Sequence, residues 1–155
     1  MHHLYMGPWI DAGAEAWGAP GLAAKRPDLA FAGVLDGTTQ PFGDAVQVIP
    51  LQCFSLTQEV VLLHRPSRTL IVTDLLFHIQ SSAPWMTRAF MTVAGGYPGC
   101  CTTVLERVGF HRPTARTEMA ELAKLDFDRL IMAHGAVIET GGKQAFKKAM
   151  GWLGV

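Results

Sequence analysis

The chain has no run of 18 consecutive apolar residues, and no amino-terminal stretch joins a basic start to an apolar core. Neither a membrane-spanning helix nor a secretory leader is therefore read, and a cytoplasmic protein with no membrane partner is expected. Net charge is missing too: 13 basic residues balance 13 acidic ones, with no basic run. Nucleic-acid binding needs a cationic surface to neutralise phosphates, so it is not expected. Cysteine is scarce. Cys53, Cys100 and Cys101 make an odd set of three without zinc-ligand spacing. Adjacent cysteines rarely bridge each other, so all three are expected to be reduced thiols. Charged residues make up only 17% of the chain against 49% hydrophobic ones, which points to buried sheet or to a surface covered by a partner. No internal repeat or low-complexity segment is visible, and 155 residues suit one domain spanning 1–155.

What is present is a pair of matching apolar runs with chemistry at their ends. Thr69-Leu70-Ile71-Val72-Thr73 leads into Asp74, and Arg129-Leu130-Ile131-Met132-Ala133 leads into His134-Gly135. Both read as strands buried on two faces, and in open α/β structures ligands sit beyond the carboxyl ends of such strands. A carboxylate and an imidazole meeting there could ligate a metal, or form a base with its orienting partner.

Around these runs, the segment from Pro8 to Ala14 reads as a short helix, residues 15–19 as a short strand and residues 22–28 as another helical turn. Residues 46–51, 60–63 and 69–73 form a hairpin series, because the connections between them are short. After Asp74 the pattern turns mixed; Ser81-Ser82 and Pro84 precede a helix through Trp85, Phe90 and Val93, broken by Gly95-Gly96. A second helix starts near Pro113-Thr114 with Ala115, Met119 and Leu122 on one face. A closing helix carries Ala145, Phe146, Ala149, Met150 and Leu153 inward and Lys143, Lys147 and Lys148 outward.

This order of parts resembles the latter two-thirds of a metallo-β-lactamase-like hydrolase. His2-His3 stands where the second half of that family's first metal motif would stand, Asp74 where its bridging aspartate closes a strand, and His134-Gly135 where its last histidine falls. More narrowly, His2-His3-Leu4-Tyr5, Pro20-Gly21-Leu22 with Lys25-Arg26-Pro27-Asp28, Glu59-Val60-Val61 and His64-Arg65-Pro66-Ser67-Arg68-Thr69-Leu70 are similar to an uncharacterised branch of the superfamily, a domain of unknown function. The resemblance implies an α/β (α+β) fold, a partial four-layer αββα sandwich lacking its amino-terminal strands, so that the chain is expected to be a late start or fragment. It also implies metal-assisted hydrolysis of an ester, thioester or lactone by a bound hydroxide.

Departures from the family pattern lower the expected activity. The first two histidines of the motif are absent, His2 occupies the place of its aspartate, and Leu51-Gln52-Cys53 stands where the middle histidine would fall. The ligand set implied for one zinc, or iron or manganese, is His3, Asp74 and His134, with His2 or Cys53 in reserve. The alternative is a non-catalytic binding or interaction module of the same fold. His64 reads as a strand-end residue, and His78 and His111 as surface or loop residues. Ser67 lacks a nucleophile-elbow context, and Cys100-Cys101 reads as structural or incidental. The missing strands would leave residues 46–51 and 60–63 with an open edge or a bare apolar face, for which a homodimer is the expected cover.

Overall fold

A computed structural model describes residues 4–54 and 58–155. The fold is mixed α+β, with helices around a mostly antiparallel sheet. Short helices α1 (Met6–Asp11) and α2 (Leu22–Lys25) alternate with two-residue strands β1 (Trp17–Gly18) and β2 (Gly33–Val34), which pair in parallel. A five-stranded sheet follows, built from β3 (Val46–Pro50), β4 (Val60–His64), β5 (Thr69–Ile79), β6 (Gly99–Cys101) and β7 (Arg129–Gly135). Between its strands lie α3 (Trp85–Val93), α4 (Val104–Gly109) and α5 (Arg112–Lys124), and α6 (Gly142–Met150) closes the chain.

β5 is the spine of the sheet. β7 lies parallel along one edge, from Thr69 opposite Arg129 onward, which leaves the other edge to β4 and β6, both antiparallel. β3 pairs with β4 and forms the outer edge. There the Val48 N–H donates to the Gln40 side-chain carbonyl at 2.9 Å, so part of that edge is satisfied locally. Of the two outcomes expected for residues 60–63, an open edge or a bare apolar face, the open edge does not occur, because β3 and β5 flank β4.

One face of the sheet makes the core. Alternation turns Val61, Leu63, Leu70, Val72, Leu130 and Met132 to the side where α5 contributes Ala115, Met119 and Leu122, and α6 contributes Phe146, Ala149 and Met150. Those helical residues recur at three- and four-residue intervals, the spacing of a single buried stripe. Phe127 meets Phe146 edge-on at 5.9 Å between ring centroids.

The other face is thinner. Val60 and Leu62 of β4 look across a cavity of about 380 Å³ to Met6, Trp17, Leu22 and Leu35 of the amino-terminal segment, so that face is half-buried. α3 and α4 follow the far end of β5 and present Trp85, Phe90, Val93, Leu105 and Val108 to solvent. Among the described residues no helix is long and apolar enough to cross a membrane.

Candidate functional site

Asp74 does not end a strand. β5 continues to Ile79, with Leu75 and Leu76 fully buried, and Phe77, His78 and Ile79 paired with β6. What the sequence shows as a polar stop is a bulge: β5 advances from Val72 to Phe77 while β7 advances only from Met132 to His134. A bulge leaves backbone donors outside the ladder and re-aims a side chain. Glu59, only 3% exposed, takes up those donors. One of its oxygens accepts the Thr73 N–H at 2.7 Å; the other accepts the Thr73 hydroxyl and, at 3.2 Å, the Asp74 N–H. Burial raises the Glu59 carboxyl above the ordinary carboxylate range, and its bonds to Thr73 and Asp74 pull it back.

His134 is the penultimate residue of β7, and its Nε2 lies 3.0 Å from Asp74 Oδ1. A carboxylate only accepts, so the imidazole donates through Nε2–H, and Nδ1 is the ring atom outside this contact. Phe77 stacks flat on the ring, with centroids 4.9 Å apart and planes 4° from parallel. Gly135 has φ +111°, and a Cβ there would sit 2.1 Å from the His78 carbonyl oxygen, so only glycine lets β7 approach β5 beside the site. Asp74, with Glu59 and Thr73, is also on the wall of the 380 Å³ cavity, a mostly apolar cleft.

A third carboxyl stands nearby. Glu106, in the first turn of α4, is raised by burial and further by the negative charge of Asp74, while His134 opposes the shift. Its Oε2 is buried with no hydrogen-bond partner among the described residues. No apolar period in the sequence marks an element at 104–109, so Glu106 is not among the candidates that the sequence offers. Thr103-Val104-Leu105-Glu106 does match the Thr-x-x-Glu pattern of a helix start, the signal that could have found it, although the Thr103 side chain makes no capping bond.

The remaining candidates fall elsewhere. His2 and His3 lie outside the described residues. Cys53 is a core residue, fully buried; its N–H donates to a Glu118 carboxylate oxygen at 3.0 Å, burial pushes its thiol up, and among the described residues it joins no group of three metal-ligating side chains. His64 ends β4 and its Nδ1 is 2.6 Å from the Ser67 hydroxyl at the hairpin. His111 precedes α5 and pairs with the Thr114 hydroxyl. His78 is not a loop residue: it lies within β5, half-buried, because the strand outlasts Asp74. Cys100 and Cys101 form most of β6, a strand the sequence reading did not contain.

A catalytic zinc takes three protein ligands. The described residues put one carboxylate and one imidazole in direct contact, and among them no group of three or more His, Cys, Asp or Glu side chains is arranged to hold a metal ion. On their own they do not fit a zinc centre. What they do make is an imidazole oriented by a carboxylate that lines a cavity, an arrangement that also suits a base and its partner.

No family model and no curated protein matches this chain.

Proposed function

We propose that the chain is a degenerate metallo-hydrolase-like domain, a partial αββα sandwich in which Asp74 and His134 form half of a single metal site. His3, with His2 beside it, is the ligand that would complete the site, and zinc, iron or manganese is the metal class. Turnover of an ester, thioester or lactone is weak or absent. The observation that carries this reading is the 3.0 Å contact between Asp74 and His134 across parallel strands. The layering supports it as well: the small β1–β2 sheet contributes Trp17 to the cavity that faces β4, so two sheets look at each other, and α5 and α6 back the larger one.

Equilibrium dialysis against zinc tests the proposal. The full chain should bind one zinc per molecule. Binding should be lost in His134→Gln and His3→Gln, and weakened at least about tenfold in Asp74→Asn, which keeps the shape and removes the charge. Zinc uptake unaffected by all three substitutions would end the reading.

One observation favours a second reading, a non-catalytic interaction module. Trp85, Phe90, Val93, Leu105 and Val108 are each at least 68% exposed on α3 and α4, a density of apolar side chains that monomers rarely leave in water. If a second copy covers them, sedimentation will show a dimer that Phe90→Lys with Leu105→Lys dissociates; a wild-type monomer at all concentrations counts against it.

A further inference from the structure

The vicinal thiols have no part in the Asp74–His134 site, yet both face a space of their own. Cys100 and Cys101 line a cleft of about 370 Å³ that also takes in His78, Arg107, Ile138 and Lys148. Two permanent cations and no acidic side chain line it among the described residues. Arg107 is braced: its Nε–H donates to the Thr102 carbonyl at 3.0 Å and its guanidinium lies 5.5 Å from the centre of the Trp152 ring. That leaves the two terminal nitrogens as the donor fork, the geometry that matches a carboxylate. The His78 tautomer is set as well, because a backbone carbonyl only accepts: Nδ1–H donates to Ala136 at 2.9 Å. The rest of the lining is apolar, from Ile138 and the alanines of α6.

We propose that this cleft is a binding site for a small carboxylate with a short apolar body, held by Arg107 and Lys148, with the body against Ile138 and the Cys101 thiol beside it. A single guanidinium fork and apolar walls suit a carboxylate better than the three-oxygen face of phosphate. The cations also act on the thiol. Burial raises the Cys101 thiol, and Arg107 and Lys148 each oppose that rise, whereas burial and then the adjacent Cys101 push the Cys100 thiol up to about 12.

Alkylation by a matched pair of reagents tests the site on the full chain. With iodoacetate or iodoacetamide the sulfur forms a bond to the methylene carbon, iodide leaves with the electron pair of the broken C–I bond, and the thiol proton passes to solvent. The reagents differ in carrying a carboxylate or a neutral amide, so the ratio of their rates cancels the thiolate fraction. Peptide fragmentation between Cys100 and Cys101 assigns the label. The iodoacetate-to-iodoacetamide ratio at Cys101 should exceed that of the urea-unfolded chain at least about fivefold, within the range by which a charged cleft concentrates a counter-ion. It should fall towards the unfolded value in Lys148→Gln, a substitution at an exposed position that leaves the Arg107 brace intact, and butyrate should protect Cys101 better than inorganic phosphate. A ratio equal to the unfolded value, a ratio unchanged in Lys148→Gln, or phosphate protecting as well as butyrate would each overturn the proposal.

Discussion

Replacing Gly135 by alanine tests how β7 is held beside β5 at the site. The residue has φ +111°, where an L side chain is strained by on the order of 1–3 kcal/mol. The new Cβ would lie 2.1 Å from the His78 carbonyl oxygen and 2.4 Å from its carbon. Both are backbone atoms, so no flexible side chain can yield and the strands themselves must part. Parting them strains the bond from the Ala136 N–H to the same carbonyl, 2.9 Å long, at a cost of about 1 kcal/mol. With the residual overlap, the loss should be about 3–5 kcal/mol, a large fraction of the roughly 5–15 kcal/mol that holds such domains folded. In urea, with a slope of about 2 kcal/mol per molar, the midpoint should fall by about 1.5–2.5 M. Gly151→Ala is the control: its added Cβ meets nothing within 4 Å, its φ is an ordinary −55°, and it should be neutral or slightly stabilising. A Gly135→Ala loss below about 1 kcal/mol, or one equal to the control, would refute the close-approach account.

Three further outcomes follow from the same structure. Phe146→Ala removes a fully buried ring from the contact between α6 and the sheet and should destabilise by about 3–5 kcal/mol in urea unfolding, with a smaller loss showing that the helix repacks. Because the folded Glu59 carboxyl is raised above its unfolded value, its contribution is fully present below the unfolded pKa and is lost as pH rises through the folded one; Glu59→Gln should therefore be more damaging at pH 4 than at pH 7, and the opposite order would contradict the burial argument. Hydrolysis of a simple thioester or lactone by the purified chain should be slow or absent, since the described residues assemble no group of three metal-ligating side chains and a nucleophile misplaced by about 1 Å loses on the order of 100-fold in rate; rapid, chelator-sensitive turnover would overturn this.

Much of the fold was readable from sequence because its signals are local. The hairpin series shows in short connections between apolar runs, and α5 and α6 show in stripes whose members are indeed buried: Ala115, Met119 and Leu122, then Phe146, Ala149 and Met150. The failures share a cause. β6 is three residues of Gly-Cys-Cys and α4 a six-residue helix carrying exposed Val104, Leu105 and Val108, so neither has a period long enough to register, and both take their shape from neighbours. The end of β5 was misplaced because Asp74 and His78 interrupt its apolar run. Both are polar residues satisfied by contacts distant in sequence, Asp74 by His134 and His78 by Ala136.

That misplaced strand end nevertheless points to two residues that are in contact, and the register explains how. From Thr69 opposite Arg129 through Val72 opposite Met132 the two strands run residue for residue, and continuing that count would set Asp74 opposite His134. The bulge then changes what the pairing does. It gives the place opposite His134 to Phe77, which covers one face of the imidazole, while the Asp74 carboxylate reaches the ring at Nε2. In a regular ladder Asp74 would hold the ring by one contact; here a stacked face and a hydrogen-bonded edge fix both its plane and its rotation. Glu59, buried behind the bulge, takes the backbone donors released there, so the device depends on a residue outside both apolar runs.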